Sequence, residues 1–461
     1  MPRNEESVAT KLQRIAEKAR SDPKCRFTSL FHLMNRELLW ECFWQLKDAR
    51  ASGIDRVTKE QYAEHLMENL DALIGRLHRM AYVPQPVRWV YIPKPGSDKQ
   101  RPLGIPVLED KLVQAGLSKI LEAIYEEDFV EDSYGFRPGR SCHDALRVLG
   151  RTIERQGTQY VVEADIKAFF DNVDQDQLMA FLAHRVADKR VLRYIRRFLK
   201  AGIQEDGVYR ASDRGTPQGG VISPLLANLY LHYTLDLWFQ RRFQPGCTGS
   251  VRLIRYADDY VASFKHEVDA KRFRIEMEKR LGLYELEIAP EKTRILAFGP
   301  MAQQWAKEQG RRKAETFDFL GFTHYCTTSR NGKWFRVGRK TISRRLSVVK
   351  NVRPGLMLSD KTLRLVPKKE SVVERFLYQN LLSRIYRKYI ETAVGGTEAK
   401  NISQARLKKA PIWLPSLETQ EAVTKTLISF DQTIEQAETN IESACLMLRA
   451  LISNWVEVLH V

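Results

Sequence analysis

The sequence lacks several features that define other classes of protein. No stretch of its 461 residues approaches the ~18 apolar residues that a membrane-spanning helix needs, so we expect no membrane partner. The N-terminus, MPRNEESVAT, has no apolar signal core, which predicts a cytoplasmic protein. The six cysteines lie far apart, without a CxxC pair or a zinc-like Cys/His spacing, which predicts reduced, buried thiols.

Acidic residues are scarce relative to basic ones. The chain has 57 Asp and Glu against 74 Lys and Arg, a net charge of +17. Residues 411–461 are acidic with a net charge of −5, which leaves +22 on residues 1–410. A merely soluble basic protein would explain the sign of the charge but not this asymmetry. The distribution favours nucleic acid as the partner, because Lys and Arg at phosphates release condensed counterions.

Hydrophobic residues make up 43% of the chain and aromatic residues 10%, which excludes a disordered protein. Helix and strand signals are interleaved, which predicts an α+β fold. The predicted elements are helices over 1–75, two strands around a Pro-Gly-Ser turn over 82–106, a helix over 109–125, a strand over 160–166, helices over 175–200, a Gly-rich loop over 207–220, a helix over 222–240, and two strands with a tight acidic turn over 251–264.

Three aspartates are candidates for metal-dependent chemistry. Asp165 leaves the strand at 160–166 just before the next turn, and Asp258 and Asp259 form the acidic turn. Two adjacent carboxylates repel each other unless a cation lies near them, although Asp-Asp also occurs in ordinary hairpin turns. If the two segments are neighbouring strands, Asp165 and Asp258 could share metal ions, and a pair of Mg²⁺ ions can serve an in-line phosphoryl displacement. Two acidic clusters at hydrophobic strand ends, inside a basic body, favour the metal site.

A series of motifs gives the chain a family resemblance over roughly residues 80–350. The motifs are RPLGIPVLEDKLVQ, SYGFRPGRSCHDAL, VVEADIKAFFDNVD, GTPQGGVISPLLANLYLH, RYADDYV, EKTRILAFG and FDFLGF. In this order and spacing they resemble the reverse transcriptase of bacterial group II introns. The resemblance implies a right-hand fold of fingers and palm and an RNA-directed DNA polymerase that uses Mg²⁺. It also implies RNA template, DNA primer, deoxynucleoside triphosphates and group II intron RNA as partners.

The resemblance also implies a role for individual residues. The catalytic residues are Asp165, Asp258 and Asp259, with the backbone of Ile166 completing the metal site. The residues implied for nucleotide binding are Lys94, Arg101, Phe170, Gln218 and Lys292. Phe170 would exclude a 2′-hydroxyl, whereas Phe169 is expected in the core. The residues implied for primer or template are Arg137, Arg140, Gly219, Leu320 and Gly321. Structural salt bridges remain an equal alternative for Arg137, Arg140 and Arg214.

The resemblance fades over residues 335–350, where the family continues into a helical thumb. Residues 351–461 instead resemble the C-terminal part of a type I restriction-modification specificity subunit, most specifically in PIWLPSLETQEAV. Heptads follow, with apolar residues seven apart from Leu427 to Trp455, which predicts a coiled-coil helix. This helix could pair with itself, bind a type I methyltransferase subunit, or pack on its own domain.

We therefore predict four regions. They are an N-terminal helical extension (1–75), fingers and palm (76–350), a small α/β fragment of a target-recognition domain (351–412) and a long coiled-coil helix (413–461). The leading function is an RNA-directed DNA polymerase. The alternative is a weak or inactive nucleic-acid-binding fusion that acts through its tail, because loss of a thumb would weaken the grip on primer and template. A pure restriction specificity protein would leave three quarters of the chain unexplained.

Overall fold

The structure is a computed structural model, and it divides the chain into two compact units, residues 1–356 and 357–461. It describes residues 6–46, 51–93, 100–205, 207–216, 219–329, 331–332, 334–341, 373, 376, 415–426 and 428–429. None of the helices in these ranges is long and apolar enough to cross a membrane. The mixture of helices and mainly antiparallel strands in the first unit confirms the α+β prediction.

The helices of the first unit lie in two groups along the chain. The first group precedes residue 160 and comprises α1 (Val8–Ser21), α2 (Arg36–Gln45), α3 (Lys59–Ala63), α4 (Leu66–His78), α5 (Leu108–Tyr125) and α6 (Cys142–Arg155). The second comprises α7 (Phe169–Asn172), α8 (Gln175–Ala183), α9 (Lys189–Leu199), α10 (Ser223–Leu231), α11 (Glu267–Gly282) and α12 (Ala302–Glu308). The predicted helix over 222–240 is α10 followed by π-helical turns at His232–Asp236 and Phe239–Phe243.

The strands form three sheets. The first has the order β2 (Gln100–Ile105), β1 (Val87–Pro93), β4 (Ile203–Glu205) and β5 (Val208–Arg210). The second has the order β6 (Val251–Tyr256), β7 (Asp259–Phe264), β3 (Tyr160–Ala164) and β8 (Arg294–Ala297). We call it the catalytic sheet, after the residues that the resemblance implies as catalytic. The third has the order β11 (Phe335–Thr341), β10 (Phe322–Thr328) and β9 (Phe317–Phe319). The prediction of a Gly-rich loop over 207–220 was wrong in part, because β5 lies within this segment and pairs with β4.

The catalytic sheet is covered on both faces. Val162 and Ala164 belong to the main core cluster, which also contains residues from α2, α4, α5 and α10, whereas Val161 belongs to a second cluster with α6 and β9. This alternation is what a strand of period two produces. The predicted N-terminal extension shares the main core through Leu70 and Leu73 of α4. Among the described cysteines only Cys42 is buried and the others are partly exposed, so the prediction of buried thiols was wrong for those.

Asp188 joins the N-terminal segment to α9 and makes a sharp test of this packing. One carboxylate oxygen accepts hydrogen bonds from the amides of Leu30 (2.8 Å) and Phe31 (2.9 Å), and the other from Arg190 (2.9 Å) and Val191. Burial opposes ionisation of Asp188, but these four bonds outweigh it and lower its pKa. We expect Asp188→Ala to lower the free energy of unfolding by about 3 kcal/mol, because a cap and two buried partners are lost.

Urea unfolding of the full chain at pH 7 measures this change, and Asp188→Asn, which keeps one acceptor oxygen, should lose about half as much. Because the folded pKa lies below the unfolded value, the stabilisation is present above the unfolded pKa of about 3.9 and is lost as the pH falls through the folded pKa. A difference between wild type and Asp188→Ala that stays constant in strong acid would contradict the ionised-cap explanation.

Candidate active site

The catalytic sheet brings the two acidic segments together. Strand β3 pairs antiparallel with β7, and Ala164 lies opposite Tyr260. Asp165 follows β3 directly and Asp259 begins β7, so both lie at the same end of the sheet. The expectation that the two segments are neighbouring strands is confirmed, although β3 ends one residue before Asp165.

A tight hairpin holds Asp258 and Asp259. Tyr256 and Asp259 are the last pair of β6 and β7, so Ala257 and Asp258 form a two-residue turn. Ala257 has a φ of 57°, a left-handed conformation that is unfavourable for a residue with a side chain. Such strain persists only where the surroundings over-determine the backbone, and it is frequent at functional sites. We call residues 256–259 the catalytic turn.

A cleft of about 450 Å³ opens beside the catalytic turn. Its lining is Glu163, Ala164, Asp165, Asp259, Tyr260, Glu291, Lys292, Arg294, Asp318, Phe319, Leu320 and Gly321. Two of these residues, Lys292 and Asp165, form an ion pair through the Lys292 ammonium. Lys292 itself is 63% exposed, so this cation can reach the cleft from its open side.

The carboxylates of the cleft repel each other. Burial, followed by repulsion from Asp165, raises the pKa of Asp258 above its ordinary value. Although Asp259 as a whole residue is exposed, its carboxylate lies in the cleft, and the resulting desolvation, with repulsion from Asp258 and Asp165, raises its pKa to about 6. Protonation relieves only part of the repulsion between these carboxylates. A bound cation would relieve more of it, so the cluster is suited to binding a cation.

The donor set fits an ion that keeps other ligands. Across the described residues, no group of three or more His, Cys, Asp or Glu side chains is arranged so that it could hold a metal ion by itself. Mg²⁺ usually takes one or two carboxylates together with waters and substrate phosphates, so an open set of aspartates is compatible with it. The backbone at Ile166 is fixed on both sides, since Ala289 N–H donates to Asp165 O (2.8 Å) and Lys167 N–H to Glu287 O (2.8 Å).

Phe169 and Phe170 lie in different environments, as the sequence predicted for this pair. Phe169 is buried in the main core, and Phe170 packs partly exposed against it with ring centroids 5.4 Å apart. The carbonyl of Phe170 accepts a hydrogen bond from Thr216 N–H (2.8 Å), which ties the start of the GTPQGG loop to this aromatic. Gln218 lies outside the described residues. Gly219 has a φ of 106°, and a Cβ there would lie 2.0 Å from the carbonyl oxygen of Gly104 in β2.

The predicted triphosphate-binding hairpin is present as β1 and β2. Arg101 lies in β2 opposite Ile92 of β1, at the end of the hairpin beside the turn. Its side chain and the whole of Lys94 lie outside what the structure describes. The roles of these two residues therefore stay predictions.

Leu320 and Gly321 form the tight turn that the sequence predicted as the primer-holding turn. Phe319 pairs with Phe322, and the two residues between them have φ values of 50° and 81°, as a type I′ hairpin requires. Glu163 of β3 holds this hairpin, because one of its oxygens accepts from Asp318 N–H (3.2 Å) and the other pairs with Arg294 (2.5 Å). The sequence motifs do not indicate this role of Glu163, although it lies two residues before Asp165 on the same strand face.

The predicted template-contacting arginines form internal contacts. Arg137 is 6% exposed and donates to Glu126 and to the carbonyls of Val130 (2.8 Å) and Ser133 (2.8 Å), so the structural alternative is the one that its geometry favours. Arg140 donates to the carbonyl of Glu131 and lies over the ring of Tyr134. Arg214 pairs with the carboxylate of Glu285 at 2.8 Å. Sequence spacing could not reveal these partners.

Comparison with known protein families agrees with both resemblances. Residues 92–324 match the family model of the reverse transcriptase (RNA-dependent DNA polymerase). Residues 345–443 match the type I restriction modification DNA specificity domain. In this second segment, residues 417–426 and 428–429 are helical, and the Gln420 side chain accepts from Val373 N–H (3.0 Å) and donates to Pro415 O (2.8 Å). The apolar heptad residues from Leu427 to Trp455 all lie outside the described residues, so the coiled-coil helix stays a prediction.

Several curated proteins are similar to this chain. Group II intron-encoded protein LtrA of Lactococcus lactis subsp. cremoris is 35% identical over 325 residues, which is 65% of this chain and 53% of that protein. Protein YkfC of Escherichia coli (strain K12) is 36% identical over 291 residues, covering 56% of this chain and 76% of that protein. The match thus spans about half of the Lactococcus protein and three quarters of the Escherichia protein.

Proposed function

Because the chain belongs to the reverse transcriptase family, we propose that it copies RNA into DNA as an RNA-directed DNA polymerase of the group II intron type. The observation that carries the proposal is the convergence of Asp165, Asp258 and Asp259 at one end of the catalytic sheet. The substrates would be an RNA template, a DNA primer and deoxynucleoside triphosphates. Group II intron RNA would be a further partner, as the similarity to an intron-encoded protein suggests.

The family uses divalent metal ions, and for this chain we propose Mg²⁺ held by Asp165, Asp258, Asp259 and the backbone of Ile166. When bound, a pair of such ions supplies activation of the primer 3′-hydroxyl and stabilisation of the leaving pyrophosphate. The strained catalytic turn fixes two of the carboxylates relative to β3. Lys292, exposed beside them, would bind the triphosphate, and the hairpin at Leu320 would hold the primer at the mouth of the cleft.

Primer extension tests the proposed activity directly. The full chain is supplied with oligo(dT) on poly(rA), labelled dTTP and Mg²⁺ at low salt, and oligo(dT) on poly(dA) in a parallel reaction. We expect incorporation on the RNA template that disappears when the Mg²⁺ is chelated. No incorporation on the RNA template under any salt or metal condition would overturn the polymerase proposal.

Asp318→Asn is the matched control for this assay. Asp318 is an exposed carboxylate that lines the same cleft but belongs to β9 rather than to the ends of β3 or β7. We expect it to keep incorporation within about threefold of wild type, because exposed charges of this kind contribute little. If Asp318→Asn lost as much incorporation as substitutions of Asp165, Asp258 or Asp259, general negative charge, and not the predicted ligand set, would support the reaction.

Lys292→Met should separate metal binding from nucleotide binding. In the metal-free protein the Lys292 ammonium occupies Asp165, and this hydrogen bond raises the pKa of Lys292. Removing it should lower the Mg²⁺ concentration at the midpoint of the metal-induced rise in melting temperature. It should also raise the KM for dTTP about tenfold, because one charged contact to phosphate is lost.

Lys167→Met is the control, since Lys167 is similarly exposed (66%) and pairs with Glu287 (3.4 Å) beside the same strand end. It should change neither the Mg²⁺ midpoint nor the KM by more than about twofold. Equal effects of the two substitutions would show that Lys292 acts only through the overall charge of the cleft.

The match to a specificity domain favours a second candidate, a nucleic-acid-binding fusion that acts through its tail. In this proposal the tail binds a type I methyltransferase subunit, or pairs with a second copy through its heptads. Co-expression with such a subunit, followed by pull-down of the full chain and of a chain ended at residue 356, tests the first version. Retention by the full chain alone supports it, and retention of neither contradicts it. Light scattering of the two chains tests self-association.

A further inference from the structure

A buried arginine lies beneath the catalytic turn. Arg255 of β6 is 1% exposed and is the largest fully buried side chain among the described residues. Its Nε and Nη2 donate to the two carboxylate oxygens of Asp236 at 2.8 and 2.5 Å. Its Nη1 donates to Asn228 Oδ1 (2.9 Å) and to the carbonyl oxygen of Ala257 (2.9 Å). The guanidinium therefore connects Asn228 of α10 and Asp236 of the following π-helical turn to the turn that carries Asp258.

The bond to Ala257 is placed where it controls a metal ligand. The Ala257 carbonyl belongs to the peptide unit that leads into Asp258, so a donor on this oxygen fixes the plane from which Asp258 projects. Ala257 also has a φ of 57°, which its side chain disfavours. A buried charge-assisted hydrogen bond is strong enough to hold such a conformation.

A glycine and an asparagine support the turn from the neighbouring segment. A Cβ on Gly135 would lie 2.2 Å from the backbone nitrogen of Ala257, so only a glycine permits this approach. Asn228, which accepts from Arg255, donates in turn to the carbonyl of Gly135 (2.6 Å). The backbone before Gly135 is bound to β6 as well, since Tyr134 N–H donates to Arg255 O (2.8 Å). One connected network thus holds the turn from two sides.

A general contribution to folding is the competing explanation. Buried ion pairs are weak evidence for stability, because desolvating both charges offsets most of their attraction. The same strand offers a comparison in Arg252, which pairs with Asp132 through two bonds of 2.8 Å but makes no described bond to the turn. Arg252 shows what an ion pair of β6 does without contacting the catalytic turn.

We propose that Arg255 is a positioning residue, which together with Asn228 and Gly135 sets the location of the Asp258 carboxylate relative to Asp165. The inference rests on the proposed function, because it assigns to the network the spacing of the carboxylates that would hold the metal ions. None of the three residues lines the cleft, and Arg255 and Gly135 meet the turn at the backbone of Ala257.

The first test compares Arg255→Lys with Arg252→Lys in the full chain. Lysine keeps the charge but loses the fork that reaches Asp236, Asn228 and Ala257 together. We expect Arg255→Lys to lower kcat about 100-fold, as a displacement near 1 Å does, while the KM for dTTP changes less than about threefold. It should also raise the Mg²⁺ midpoint of the metal-induced shift in melting temperature about tenfold. Arg252→Lys should leave kcat and the Mg²⁺ midpoint within about twofold.

A glycine pair provides the second test if Arg255→Lys does not fold. Gly135→Ala forces the backbone of the turn to move, whereas Gly282→Ala at the end of α11 meets no atom within 4 Å among the described residues. We expect the first to show the same fall in kcat and rise in Mg²⁺ midpoint, and the second to show neither.

The metal-induced shift in melting temperature distinguishes failure of the positioning proposal from failure of the proposed polymerase activity. If wild type shows the shift but does not extend primers, the proposed polymerase activity fails while the positioning role can still be read from the variants. If Arg255→Lys and Gly135→Ala keep the wild-type Mg²⁺ midpoint and kcat and lose only thermal stability, the network is structural and the inference is overturned.

Discussion

Replacing Asp259 by Asn is expected to reduce primer extension by roughly 10³-fold or more while making the metal-free protein more stable. Activity falls because the amide cannot serve as an anionic metal ligand at the start of β7. Stability rises because Asn removes a carboxylate that is desolvated in the cleft and repelled by Asp258 and Asp165. Replacing a residue that contributed only to folding would instead lower the stability of the protein.

The pH dependence gives the sign of this effect. The pKa of Asp259 is raised to about 6 in the folded protein, above an ordinary value near 3.9. Its protonation therefore favours folding fully below the unfolded pKa, and this contribution is lost as the pH rises through about 6. The melting temperature of Asp259→Asn in EDTA should exceed that of wild type at pH 7.5, and the difference should shrink toward pH 4.5.

Adding Mg²⁺ should reverse the order, because the ion stabilises the wild-type carboxylates and binds the variant weakly. Differential scanning fluorimetry of wild type and Asp259→Asn at pH 4.5, 6 and 7.5, with and without Mg²⁺, gives the six comparisons. Asp318→Asn again serves as the control and should show no crossover. A lower melting temperature for Asp259→Asn in EDTA at pH 7.5 would contradict the account of repelling carboxylates.

Phe170→Ala is expected to lower the preference for deoxynucleotides by about 100-fold. The family resemblance places the Phe170 ring beneath the incoming sugar, where it would clash with a 2′-hydroxyl. The structure shows a partly exposed ring whose backbone is tied to the GTPQGG loop, which suits a residue that faces substrate. The ratio of kcat/KM for dCTP and CTP at one position of a heteropolymeric RNA template measures the preference.

Phe169→Leu is the paired control, because its ring lies 5.4 Å from that of Phe170 but is buried in the core. This substitution should cost about 1–2 kcal/mol of stability through a partly filled cavity and leave the dCTP to CTP ratio unchanged. A ratio that is unaltered in Phe170→Ala, or that falls equally in both variants, would remove Phe170 from the selection of sugars.

The strands around the candidate active site were predictable because the residue patterns that identify them are local in the sequence. Alternating apolar residues identified β3, and an acidic pair between two apolar runs identified the hairpin of β6 and β7. The pairing partners of charged side chains were not predictable in this way. Arg137 is satisfied by Glu126 and two carbonyls that only the folded chain brings to it.

Gly135 illustrates the same limit, since its close approach to Ala257 joins segments more than a hundred residues apart. The short hairpin of β4 and β5 was missed for another reason. Its three-residue strands are too short for a periodic signal, and β5 is exposed on all three residues.

The order of strands in the catalytic sheet also governs when the site can assemble during protein synthesis. Strand β3 lies between β7 and β8, which follow it in the chain by about 100 and 130 residues. A growing polypeptide that has exposed Asp165 therefore holds an unpaired apolar strand until the ribosome releases both later partners. Such long-range pairing is slow, and the waiting strand is prone to aggregation. We infer that chaperone demand during expression peaks between the emergence of β3 and that of β8.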